Sequence, residues 1–132
     1  MGIRTSWDNE NKTILRIEYE GSWTWEDFHK AHDEGNELIK SVSHRVAVII
    51  DVSKSRLIPS GALSRGKHVT ENKPANQGMT AVVGANGFIQ GLYDLFRKVY
   101  RKDFNLIYVS SLEEARARLL EQRATQGTEV RS

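Results

Sequence analysis

Asp51, Ser53 and Ser60 are the side chains whose type and spacing come closest to a chemical site. They lie in Val46-Ala47-Val48-Ile49-Ile50-Asp51-Val52-Ser53, which continues through Lys54 to Pro59 and then Ser60-Gly61. The pattern predicts a doubly buried strand ending in an acid, then a polar loop, then a Ser-Gly pair at a helix start. α/β proteins place their sites at that end of a strand. A serine hydroxyl there can accept a phosphoryl group, because the product anion meets unpaired backbone N–H groups and the positive end of the helix dipole. The same serine can instead cap its helix, worth about 1 kcal/mol with no ligand involved. Asp51 can bind a ligand hydroxyl or a partner's donor, or it can hold the following loop by accepting from its backbone. Leu57 and Ile58 are apolar residues in an outer loop, and such residues pack beneath the loop or meet something else. The candidate binding set is therefore Asp51, Ser53, Leu57, Ile58, Ser60 and Gly61, with Ser60 as the candidate phosphoacceptor.

The other chemistry-bearing residues are read structurally. Gly84-Ala85-Asn86-Gly87, with Gly91, follows a strand as phosphate loops do. No Gly-Lys-Ser/Thr follows and the dinucleotide spacing is missing, so tight turning and close helix packing account for these glycines. His29 and His32 lie near one helix face beside Glu26 and Asp33. A metal site needs ligands converging from elsewhere, and a second Glu-x-x-His is missing. No metal site and no cofactor are expected. The absence of cysteine removes disulfides, thiolate ligands and thiol catalysis. Nothing sets a histidine beside Ser60, so no Ser-His-Asp arrangement and no enzyme is expected. Arg97-Lys98 and Arg101-Lys102 complement a helix C-terminus.

The elements that must position these residues are legible from periodicity. Leu15, Ile17 and Tyr19 alternate with Arg16, Glu18 and Glu20, and with Ile3 to Trp7 they form a hairpin across the polar turn Asp8 to Lys12. Thr24 with Asp27 makes a capping box, and Trp23 with Phe28 a hydrophobic staple, at the start of a helix. Its apolar stripe is Trp25, Phe28, His32, Gly35, Ile39 and Val42, and it ends near Lys40. The strand Val46–Ile50 follows, then a helix from Ser60 to about Glu71. Met79 to Gly84 forms another buried strand. Gly87 to Arg101 reads as a helix with Phe88, Leu92, Leu95, Phe96 and Val99 inward. Asn105 to Val109 is the last strand, and Ser111 with Glu114 opens a final helix. Helices between the last three strands imply crossovers and a parallel sheet, with the hairpin as its antiparallel part.

With 132 residues the chain is long enough for one domain with its own core, ending near residue 124, with 125–132 expected to fray. A charge of +2 gives no concentrated basic field, so nucleic acid is not an expected partner. The N-terminus lacks an apolar signal core and no run approaches membrane-spanning length, so membrane insertion is not expected and a cytoplasmic location is.

The order of elements resembles the STAS superfamily, most closely its SpoIIAA-like branch. The landmarks are Val46–Asp51 with its loop and Ser60-Gly61, then Ala81-Val82-Val83-Gly84, then Ser111, Glu113, Glu114, Ala115 and Leu119; together they span roughly residues 7 to 122. The resemblance implies a single-domain α/β sandwich over residues 1–124, with a mixed sheet and four helices mainly on one face. It also implies a non-enzymatic regulatory domain that binds a protein partner, such as a regulatory protein or a kinase, through Val52–Ser64. Relatives of this kind are phosphorylated on a serine in an Asp-Ser-Ser-Gly turn, where this chain has Ile58-Pro59-Ser60-Gly61. A homodimer is compatible with this reading. The alternative is a module for an apolar small molecule or lipid, with Trp25, Phe28, Leu57, Ile58 and Phe88 as the pocket lining.

Overall fold

Alternation along the second strand sets the layers of the molecule. Leu15, Ile17 and Tyr19 are buried while Arg16 and Glu18 between them are only partly so, the period of a strand with one covered face. The computed structural model describes residues 2–56, 58–61, 74–99 and 105–131, without the side chains of residue 96 and residues 123–131. Strands β1 (Ile3–Trp7) and β2 (Ile14–Gly21) pair antiparallel. β3 (Val46–Ser55), β4 (Gln77–Val83) and β5 (Leu106–Val109) then add in parallel, so the spatial order β1-β2-β3-β4-β5 is the chain order. The helices are α1 (Trp25–Lys40), α2 (Gly87–Val99) and α3 (Leu112–Arg131). The three runs expected to be parallel neighbours are the cores of β3, β4 and β5.

Side-chain alternation divides the core in two. On one face Leu15, Ile17, Tyr19, Val46, Val48, Ile50, Val82 and Leu106 meet Ile39 of α1 and Ile89 of α2. On the other, Ile14, Ile49, Ala81, Val83 and Val109 meet Ala115 and Leu119 of α3. Strands apolar on both faces must be covered on both. Two of the described helices thus share one face and α3 has the other to itself. The helix expected over Ser60 to Glu71 lies mostly outside the described residues. α3 is helical to Arg131, through the stretch expected to fray.

The ends are tied by polar contacts. The capping box at Thr24 is complete: Asp27 N donates to Thr24 Oγ1 and Thr24 N to Asp27 Oδ2, both at 3.1 Å. At the other end of α1, Asn76 Nδ2 donates to the carbonyls of Ile39, Val42 and His44 at 2.8, 3.1 and 2.9 Å. Asp8, its side chain 2% exposed, binds Arg16 at 3.2 Å and receives two bonds from Arg116 of α3 at 2.8 and 2.9 Å.

Thr80 in β4 is fully buried, and its Oγ1 has no hydrogen-bond partner among the described residues. An unpaired buried hydroxyl costs about 1–3 kcal/mol, whereas a methyl of the same shape costs nothing there. Thr80→Val is expected to raise stability by about 1 kcal/mol, read as a higher urea midpoint at unchanged slope.

Candidate functional site

The C-terminal ends of β2, β4 and β5 each lead into a helix, so one edge of the sheet collects three helix starts and the end of β3. The geometry there begins with the length of β3. Asp51 was expected to close its strand and Val52 to begin a loop, but β3 runs on to Ser55. The cause is β2: after a register shift between Glu18 and Glu20, Glu20 pairs with Lys54 and Gly21 with Ser55. Arg56 N donates to Gly21 O at 2.9 Å, and Trp23 Nε1 to Ser55 Oγ at 2.9 Å. Val52 and Ser53 are therefore strand residues, and the connecting segment begins at Arg56.

Asp51 is 8% exposed, and its Oδ1 accepts from Ser53 N at 3.0 Å and Ser53 Oγ at 2.6 Å. These bonds fix Ser53, a residue of β3 rather than of the connecting loop, so Asp51 holds its own strand. Gly84 packs against this pair. Its φ is +77°, and a Cβ there would lie 2.6 Å from Ser53 Cβ and 2.8 Å from Ser53 Cα. Only glycine meets both demands. Gly87 and Gly91, by contrast, have open space where a Cβ would stand, so close packing does not explain them.

Helix α2 starts as a capped helix. Asn86 Oδ1 accepts from Ile89 N at 3.0 Å, and Gln90 Nε2 donates to Ala85 O at 3.1 Å. The Tyr108 hydroxyl of β5 lies 3.1 Å from both Gln90 O and Asp94 Oδ1, which share its single proton. Burial, together with its hydrogen bond to Asp94 and the charge of that carboxylate, pushes the Tyr108 phenol up to about 12. These bonds and the fixed turn at Gly84 set the rotation of α2. Ile89 and Tyr93 meet the core, while Phe88 is 71%, Leu95 45% and Val99 54% exposed. The expected inward placement of Phe88, Leu95 and Val99 is thus corrected; Leu92 is half-buried, and the Phe96 side chain lies outside the described set.

The remaining sequence candidates separate. Ser60 and Gly61 are exposed. The Ser60 carbonyl accepts from Trp25 Nε1 at 2.6 Å, which anchors the segment to the start of α1. Gly61 has φ +84°. Ile58 is half-buried and packs against the core with Trp25 and Phe28. Phe88 is mostly exposed. Leu57 lies outside the described residues, as do 62–73. At the start of α3, Glu114 N donates to Ser111 Oγ at 3.1 Å. The Glu114 carboxylate reaches past Ser111 to accept from Ser110 N and Ser110 Oγ at 3.0 and 2.9 Å. Those bonds, the backbone one first, hold the Glu114 carboxyl below its usual range.

His32 Nε2 lies 2.6 Å from Tyr19 Oη, inside an aromatic group of Trp23, Trp25 and Phe28. Burial pushes the Tyr19 phenol well up, so it stays protonated beside the imidazole. Sequence reasoning placed His32 on the apolar stripe without finding this partner; the signal was Tyr19, which faces inward in β2. Among the described residues, no group of three or more His, Asp or Glu is placed to hold a metal ion, and no helix is long and apolar enough to cross a membrane. No family model matches the chain, and no curated protein matches it.

Proposed function

We propose that this chain is a non-enzymatic interaction domain of the SpoIIAA-like type, which binds a protein partner at the C-terminal end of its parallel strands. One observation carries the reading: Phe88, at the start of α2 on that edge, is 71% exposed while its neighbour Ile89 and Tyr93 meet the core. A large exposed aromatic beside polar residues is the composition of a binding hot spot. Lys54 and Arg56 at the end of β3 are exposed on that edge, while Asp94 is engaged by Tyr108. The fitting partner presents an apolar residue within an acidic surface. Ser60, exposed on the same edge, is where a phosphate would oppose such a partner.

The test is capture from a native lysate with wild type, Phe88→Asp and Ser60→Asp, each shown to be folded by circular dichroism. Phe88→Asp is expected to reduce recovery of the specific partner at least about tenfold, and Ser60→Asp to reduce it less. Identical partner lists and recoveries from all three proteins would remove this edge as the binding surface.

A further inference from the structure

We infer that this protein forms a two-fold dimer through strand β1, which joins two sheets into one. Among the described residues β1 has one neighbour, β2, and is an edge of the sheet. Glu20 N donates to Gly2 O and Asp8 N to Ile14 O, so the even-numbered residues of this strand bond to β2. Hydrogen-bonded and non-bonded pairs alternate in an antiparallel ladder. The N–H and C=O groups of Ile3, Thr5 and Trp7 therefore face away from β2. The strand lacks the devices that blunt an edge: it holds no proline and no bulge, and its one charged residue, Arg4, sits on the face away from α1.

The sequence of β1 selects a second copy as its partner and sets the register. Pairing two antiparallel β1 strands about Thr5 places Ile3 opposite Trp7 of the other copy, Thr5 opposite Thr5, and Trp7 opposite Ile3. All the outward groups of these residues then pair, and isoleucine packs beside tryptophan, a favourable cross-strand combination. Arg4 lies opposite Ser6. Sliding the register by two residues one way puts Arg4 opposite Arg4, a like-charge pair that sheets disfavour. Sliding it the other way leaves Ile3 unpaired. The full-overlap register is the one that avoids the arginine pair and also engages every outward group of β1.

The helix above fits the same axis. Gly35 of α1 lies over the gap between β1 and β2, since a Cβ there would meet Thr5 Cγ2 at 3.5 Å, Leu15 Cδ2 at 3.0 Å and Ile17 Cδ1 at 3.7 Å. Thr5 Oγ1 donates to Ala31 O at 3.0 Å. With strands about 4.8 Å apart, an axis over that gap lies about 5 Å from the dyad. Two copies of α1 then run antiparallel about 10 Å apart, a normal packing distance for helices. The flank of α1 turned to the open edge carries Lys30 and Glu34, both exposed. Because Thr5 is level with Ala31 to Gly35, Lys30 of each helix faces Glu34 of the other. Lys30 and Glu34 of the two copies attract there, while Asp27 and Glu37 on the same flank meet as like charges, so the register is set by the strands.

The experiment is sedimentation velocity of wild type, Thr5→Pro and Ser6→Arg over about a hundredfold range of concentration, with circular dichroism of each. Thr5→Pro removes the central outward donor. An edge strand tolerates proline where the N–H faces solvent. Ser6→Arg sets an arginine opposite Arg4 of the other copy while leaving every backbone group of β1 in place. A concentration-dependent dimer in wild type that both variants weaken at least about tenfold is the expected result. Should Thr5→Pro unfold the chain, Ser6→Arg decides alone. For an independent reading, Thr5→Cys in this cysteine-free chain is expected to cross-link to itself under mild oxidation, the opposed Cα atoms being about 5.5 Å apart. A wild type that stays monomeric throughout, or a dimer that neither variant weakens, overturns the inference.

Discussion

Trp23→Ala is expected to cost about 3–5 kcal/mol of folding stability, the range for removing a buried tryptophan, and Thr24→Ala beside it about 1 kcal/mol. Trp23 is 9% exposed and joins the hairpin, α1 and β3. Its ring meets Tyr19 edge-on with centroids 5.0 Å apart, meets Trp25 edge-on at 5.2 Å, and stacks on Phe28 at 6.2 Å. Its indole N–H holds the end of β3 through Ser55. Truncation opens a cavity at the junction of three elements and leaves the extra strand residues Lys54 and Ser55 held only by the shifted end of β2. The cap mutation loses one bond at an exposed helix end, where water can substitute. Urea titrations of the two variants check the order. A Thr24→Ala variant that loses as much as Trp23→Ala would mean that the first turn, rather than the aromatic cluster, holds α1 on the sheet.

Sequence periodicity located these elements because each rests on a local signal. The staple of Trp23 and Phe28, the box of Thr24 and Asp27, and the buried runs of β3 and β4 are contrasts between neighbours a few residues apart. The features that escaped notice depend on residues distant in the chain. β3 continues past Asp51 because the shifted end of β2 offers it a partner, which a reading of Val52 to Ser55 alone cannot foresee. The rotation of α2 is decided by Gly84 against Ser53 and by Tyr108 against Gln90. A helix whose apolar residues cover more than one face gives periodicity two answers, and the tertiary contacts choose Ile89 over Phe88. In the hairpin turn, Lys12 takes φ +56° although Asn9 and Asn11 are the better left-handed residues. Asn9 is occupied instead with Thr13, accepting from its N at 3.0 Å and donating to its Oγ1 at 2.7 Å.

The candidate site was legible as a place more than as a set of side chains. The end of a doubly buried strand is a recognisable feature, and Asp51 and Ser53 lie together there, while Ser60 is tied to the start of α1. Their roles there are mostly internal: Asp51 holds Ser53, and the Ser60 carbonyl holds Trp25. Ile58, an apolar loop residue expected to pack beneath the loop or meet something else, packs against the core. Phe88, assigned to the core, is the side chain this edge presents to solvent. The reversal at Phe88 comes from judging burial by residue type, when exposure is decided by which positions the sheet has room to cover.

Asp8→Asn is expected to lower stability by about 3 kcal/mol at neutral pH, with a loss that shrinks in acid. The carboxylate is nearly inaccessible and serves two arginines, one in β2 and one in α3, and its residue is 108 positions from Arg116. Removing one partner of a buried ion pair strands the others, at about 3–5 kcal/mol. Arg116 is 39% exposed and Arg16 24%, so water relieves part of that cost and the lower end applies. The bond from Arg116 holds the Asp8 carboxyl below its ordinary 3.8, against burial, which raises it; the charges of Arg116 and Arg16 lower it further. A carboxyl depressed in the folded state binds fewer protons there than in the unfolded chain, so its stabilisation is complete above the unfolded value and is lost as pH falls through the folded one. The gap in urea stability between wild type and Asp8→Asn should therefore stay constant from pH 7 to about 5 and narrow below about 4. Glu114 is depressed as well, but it is present in both proteins and cancels in the difference. A gap that stayed the same down to pH 3 would show that the variant acts by altered packing in the hairpin, and that the charge of Asp8 does not join β2 to α3.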